Sequence, residues 1–152
     1  MQFDTKLAEI GALKAKLLTM PRGLYEAREA AREARGRVGE AKKRVVDVKV
    51  EIEDGKLETL LLVSAERANG SDKPRYSNEA ARNAAVADAL AKSSAHQERV
   101  KRLAGAEADV VNAELCAGQL DNDVKRLEDE QREWRAVVDL TVAEVTLLVH
   151  GR

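Results

Sequence analysis

The feature that most constrains this chain is an apolar stripe running through seven heptads of its C-terminal third. With Leu103 as position a, the a series is Leu103, Val110, Ala117, Val124, Gln131, Val138 and Val145. The d series is Ala106, Ala113, Leu120, Leu127, Trp134, Thr141 and Leu148, and twelve of the fourteen residues are apolar. Spacing that alternates three and four residues gathers side chains on one face of an α-helix, whereas a strand, with period two, scatters them. The pattern predicts a long helix over about 96–149, and such a stripe needs another helix to cover it.

A second stripe supplies that cover. Counting Leu24 as a gives Leu24, Ala31, Val38, Val45, Ile52 and Thr59 at a, and Ala27, Ala34, Ala41, Val48, Gly55 and Leu62 at d. Ten of these twelve are apolar and not glycine. The run predicts a helix over about 24–67, with alanines early in the stripe that allow close approach. Before it, Leu7, Ile10, Leu13, Leu17 and Leu18 predict a short first helix over about 5–19, broken at Met20-Pro21-Arg22-Gly23 because proline disfavours helix in the residue before it. Residues 68–77 read as a loop, rich in Gly, Ser, Asp and Pro. Ser77 offers an N-cap hydroxyl to an alanine-rich helix over about 78–92, with Glu79 in its first turn, where the helix dipole favours a carboxylate.

One segment pulls the other way. Val46 to Gly55 alternates strictly between apolar and charged residues and ends in Asp54-Gly55, a strong hairpin signal. The heptad frame nevertheless crosses it without a phase shift, so helix is expected there.

The flanking charges indicate how the helices pair. Position e of the 24–67 helix is basic throughout: Arg28, Arg35, Lys42, Lys49 and Lys56. Position e of the last helix begins Glu107, Glu114, Asp121 and Glu128. In an antiparallel pair e faces e, so a basic edge meets an acidic one; such flanks choose partners more than they stabilise. The expected fold is all-α: a single domain built as a long antiparallel coiled-coil helical hairpin, with a short N-terminal helix and an alanine-rich helix after the central loop.

Composition narrows the function. Aromatic residues are 3% of the chain and charged residues 35%, with a formal net charge of −1. Stacking sites for single-stranded nucleic acid lean on aromatics, and the global charge offers no pull toward nucleic acid or an anionic membrane. Cys116 is the only cysteine, so no intramolecular disulfide forms and a reducing compartment is expected. The first residues lack a basic segment followed by an apolar one, and the apolar run Val137–Val149 is interrupted by Asp139 and Glu144. No signal peptide and no membrane span are expected, and the cytoplasm of a bacterial host is the expected location.

Chemistry-bearing clusters are sparse. The stretch Arg22–Arg44 holds eight Lys or Arg and four Glu. Within it, Arg28, Arg32, Arg35, Arg37, Lys42, Lys43 and Arg44 are the candidate nucleic-acid or partner contacts, against a simpler reading in which they pair with the acidic helix. His96, His150 and Cys116 lie at no metal-ligand spacing, and the acids at 121, 123 and 128–130 spread around several helix faces. No phosphate loop or nucleophile with its base occurs. Neither catalysis, nor a metal, nor a cofactor is expected. The apolar face widens at Val137, Leu140 and Leu147, which points to burial under the first helix or in a homo-oligomer.

The stretch Arg75-Tyr76-Ser77-Asn78-Glu79-Ala80-Ala81-Arg82, followed by an alanine-rich helix and then a long coiled-coil helix, resembles small coiled-coil proteins of tailed bacteriophages and prophages. These are typically encoded near single-strand annealing recombinases or single-strand DNA-binding proteins. The resemblance spans about residues 24–140, and Gly55 and the alternating stretch before it depart from the pattern. It implies an accessory, non-catalytic role in phage DNA recombination or replication, through a protein partner and with single-stranded DNA as a further ligand. Arg75, Tyr76, Ser77, Asn78 and Arg82 form the implied partner-contact loop; capping and loop packing are the plainer account of the same residues. Two other readings stand beside it. One is a coiled-coil regulator of a transcription complex; the other is a prefoldin-like holdase, which requires 46–62 to be a β-hairpin.

Overall fold

The chain's computed structural model describes residues 2–150 and contains three helices: α1 (Gln2–Ala65), α2 (Glu79–Lys92) and α3 (Ser94–His150). Among the described residues there is no strand, and the isolated antiparallel bridge between Arg67 and Pro74 pins the connecting loop.

The expected short first helix is not separate: α1 passes through Pro21 without a break. Its seam explains why. Counted back from Leu24, the heptad frame places Met20, Leu17, Leu13 and Ile10 at d, a, d and a, and all four are half-buried. Proline inside a helix costs about 3 kcal/mol, through a lost N–H and a clash with the carbonyl one turn earlier. Covering four large apolar side chains at about 1.5–3 kcal/mol each for full burial outweighs that cost even at half burial. Pro21 itself sits at e, exposed, and its fixed φ suits a helix. In the same turn the Thr19 hydroxyl donates to the Lys16 carbonyl at 2.9 Å.

Residues 46–62 are helical, so the condition for the holdase reading fails. A strand would place residues 46, 48, 50 and 52 alternately with the charged ones, all four on one face. Instead Val48 and Ile52 are buried, while Val46 and Val50 are more than half exposed. After Thr59 the seam advances by one residue: Leu62 is 71% exposed and Val63 is 5% exposed.

Two compact units divide the chain: Met1–Arg37 with Glu114–Arg152, and Val38–Ala113. In the first unit the deepest seam residues of α1 are Leu24, Ala31 and Ala34, and those of α3 are Ala117 and Thr141. Thr141 settles its hydroxyl by donating to the Val137 carbonyl at 2.8 Å, as a buried hydroxyl within a helix must. Cross-helix pairs run in opposite order along the two helices: Lys6 with Glu144, Arg28 with Glu128, Arg35 with Asp121. The Lys16 ammonium lies 3.9 Å from the Trp134 ring centroid.

In the second unit Ala41, Val48, Ile52 and Val63 form the buried face of α1, joined by Gly55. Lys49 pairs with Glu107 and Glu51 with Arg102, again in opposite order. Gly55 matters because the Arg99 guanidinium lies over it, in the space that a Cβ would occupy. Helix α2 contributes a half-buried face of Arg82, Ala85, Val86, Ala89 and Leu90. Its N-cap is Asn78, whose side-chain oxygen accepts from the Ala81 N–H at 2.7 Å. The expected cap at Ser77 is one residue early; both residues have cap chemistry, and Asn78 adopts the extended backbone that a cap needs (φ −128°, ψ 161°). Ser93 ends α2 with ψ 113° and its hydroxyl accepts from the His96 N–H at 3.2 Å, so one residue closes α2 and opens α3.

Candidate partner-contact surfaces

The basic candidates divide into engaged and unengaged groups. In the first unit Arg28 donates to Glu128 at 2.6 Å, Arg35 donates to Asp121 through two guanidinium nitrogens, and Arg32 pairs with Glu29 along its own helix at 2.8 Å. The hydrogen bond to Asp121, with its charge, raises Arg35 further above its ordinary value. Lys42 also has a partner within the chain. Arg37, Lys43 and Arg44 form no ion pair among the described residues; Arg37 belongs to the first unit and the other two to the second. Arg28 and Arg35 therefore lock onto α3 at the predicted e positions.

Two of the loop candidates, Arg75 and Asn78, have bonding roles within the chain. Arg75 donates its backbone N–H to the Glu66 carbonyl at 3.0 Å and its guanidinium to the Glu66 carboxylate at 2.9 Å, and it lies 5.5 Å from the Tyr76 ring centroid. Asn78 caps α2, and its carbonyl accepts the Arg82 N–H at 3.1 Å. Tyr76 and Arg82 are half-buried and Ser77 is exposed. Gly70, at φ +72°, takes the left-handed conformation that turns the loop, which a residue with a Cβ adopts only under strain. The two ends of the loop are tied by the Ala68 N–H bond to the Lys73 carbonyl at 3.0 Å.

Open grooves are present in both units. One of about 770 Å³ in the first unit is lined by Arg126, Asp129, Glu130, Glu133, Trp134 and Val137 among others. Two of its charges are committed locally, Arg126 to Asp123 and Asp129 to Arg132. The second unit carries one of about 470 Å³ between Arg44, Asp47, Glu51, Arg102 and Asp109. There the Arg102 hydrogen bond, helped by the charges of Arg102 and Arg99 and opposed by partial desolvation, holds the Glu51 carboxyl below its ordinary value. Another in that unit, of about 400 Å³, has a mainly apolar floor of Val45, Val46 and Val110, edged by Lys42 and Glu107. Among the described residues no group of His, Cys, Asp or Glu is arranged to hold a metal, and no helix is long and apolar enough to cross a membrane. His96, expected to stand alone, has an enclosed Nδ1 without a hydrogen-bond partner.

Exposed apolar side chains are the other resource, and sequence reasoning found only some of them. Val137, Leu140 and Leu147 are exposed, so the first part of α1 does not bury the widened face, and Val142 and Leu148 are exposed with them. The second unit carries a set that sequence reasoning missed: Val46, Val50, Leu57 and Leu60. The signal was present, because these four sit at b and f of the heptad whose a and d positions are buried. A frame built to find one seam does not look for a second.

Comparison with protein families, curated proteins and solved structures finds no match for this chain.

Proposed function

We propose that this protein is a non-catalytic accessory or adaptor protein of phage DNA recombination or replication, working from the cytoplasm of a bacterial host through protein contacts and self-assembly. In each unit the α1 and α3 segments pair as an antiparallel coiled coil, with basic e positions of α1 against acidic e positions of α3. The observation that carries the adaptor reading is where charge and apolarity end up. Arg28 and Arg35 face α3 carboxylates, whereas large apolar side chains remain on the outer faces of both long helices. A surface whose spare chemistry is apolar favours protein partners over phosphate backbones. The phage assignment rests on the Arg75–Arg82 motif and the helices that follow it.

Arg37, Lys43 and Arg44 keep a second, weaker role open: contact with single-stranded DNA. Light-scattering mass of the purified protein, with and without single-stranded DNA at two salt concentrations, tests the choice. A mass unchanged by DNA supports the protein adaptor. A complex that forms at low salt and dissolves at high salt makes direct DNA handling the primary role, since phosphate contacts release counterions.

A further inference from the structure

We propose that the outer face of α1 from Val46 to Leu60 is a self-association seam, on which a second copy of this chain lays the same face in parallel. The inference deepens the self-assembling adaptor reading and rests on it.

The face has the spacing of a coiled-coil seam. Val46, Val50, Glu53, Leu57 and Leu60 follow one another at intervals of four, three, four and three. That is the interval pattern of a heptad stripe, offset from the one buried against α3. Val46, Val50 and Leu57 are more than half exposed and Leu60 is 37% exposed, so the described residues leave this face largely open. The apolar groove beside Val46 continues the face toward α3.

The flanking charges choose the occupant. On one side of the seam stand Lys42, Lys49 and Lys56, and on the other Asp47, Asp54 and Leu61. In a parallel pair each flanking residue meets the one five positions later on the partner helix. Lys42 then meets Asp47 of the second copy, and Lys49 meets Asp54. In an antiparallel pair lysine would face lysine and aspartate would face aspartate. Asp47 and Asp54 form no ion pair among the described residues, so both carboxylates await a cation. Lys42 and Lys49 are already engaged within the chain, Lys49 with Glu107 at 3.5 Å, but an ammonium has three donors and can serve two carboxylates.

The exposed apolar residues near the C-terminal end of α3 fail the same charge test. Leu140 and Leu147 alternate with Ala136 and Ala143 at seam spacing, yet a parallel copy would bring Asp139 against Glu144. An antiparallel copy would oppose Asp139 to itself. Glu144 is already paired with Lys6.

Glu53 sets the strength. It occupies a seam position, where it would meet its own copy, and Lys56 partly neutralises it from 2.7 Å. The association is therefore weak in the natural sequence, and Glu53→Leu should tighten it at least tenfold.

Sedimentation equilibrium over a hundredfold concentration range, without DNA, reads the outcome. The proposal expects a reversible monomer–dimer equilibrium that Glu53→Leu strengthens and that Val50→Glu or the pair Asp47→Lys with Asp54→Lys weakens tenfold or more. Helical circular dichroism of each variant should be unchanged, because all these side chains face solvent. Orientation is read in a Cys116→Ser background: Val50→Cys should form an intermolecular disulfide on mild oxidation, because a parallel seam sets residue 50 beside residue 50. A protein that stays monomeric throughout, Glu53→Leu included, overturns the proposal and gives this face to a different protein. A dimer indifferent to these substitutions, or one that fails to cross-link at Val50→Cys, overturns the seam or its orientation. Because no DNA is present, failure here is distinct from failure of the adaptor reading, which the DNA mass measurement tests.

Discussion

The two units use one pairing pattern and differ in what they leave outside. Both bury a stripe of α1 against α3 and join charges across it in opposite chain order. The unit of Met1–Arg37 and Glu114–Arg152 buries alanine deepest in its seam, with Ala31 and Ala34 each 2% exposed, and its outer residues Leu140 and Leu147 are flanked by like charges. The Val38–Ala113 unit packs larger side chains and adds α2, and its outer apolar residues are flanked by unlike charges. Exposed apolar area alone therefore says little about a partner. The charges beside it decide whether a second copy is admitted.

The largest effects should come from the seams. Ile52→Ala should cost about 2–5 kcal/mol, and Leu24→Ala a loss in the same range. Amide hydrogen exchange should place the first loss in the Val38–Ala113 unit and the second in the other unit. Equal loss of protection in both units from either variant would break the division between them. Ala34→Leu probes the close approach, and overpacking it should destabilise by about 1–3 kcal/mol in thermal melts. Val38→Leu, at a half-buried position of the second unit, should be tolerated far better.

Smaller in size but opposite in sign is Pro21→Ala. It restores an N–H to a helix that already runs through the site, so it should raise the melting temperature, with about 3 kcal/mol as its upper bound. A loss instead would mean that the proline is needed where it stands. The smallest effect belongs to Glu51. Its carboxyl is held below the ordinary 4.5, so the pairing contributes stability that is present above 4.5 and fades as pH falls through the lower folded value. Acid titration by circular dichroism at low salt should show that loss in the natural protein and a flatter profile in Glu51→Gln.

Periodicity was the legible part of this chain. The two long stripes predicted which residues are buried or half-buried, from Leu24 to Ile52 and from Leu103 to Val145, and the e-position charges predicted the acidic neighbours that Arg28, Arg35 and Lys49 meet on α3, though not the register. Local punctuation misled. Pro21-Arg22-Gly23 reads as a break because propensity acts on each residue, whereas the seam through Met20, Leu17, Leu13 and Ile10 acts on the whole helix. The alternation at 46–55 mimics a strand because one helix carries valines on two faces. Loop residues Arg75 and Asn78 hold the loop and cap α2, and the neighbours that give them those roles, Glu66 and the Ala81 N–H, are not revealed by the motif's spacing.

The most direct test of the charge-matched pairing is a distance measurement between spin labels in the first unit, in a Cys116→Ser background. Labels at Arg28→Cys and Glu128→Cys should lie close together. Labels at Arg28→Cys and Asp121→Cys should lie farther apart, displaced along the helix by about 10 Å for one heptad at 1.5 Å per residue. That result would fix the basic edge of α1 in its register against the acidic edge of α3. A 28–121 distance equal to or shorter than the 28–128 distance would contradict the pairing and return Arg28 and Arg35 to the surface as contacts for nucleic acid.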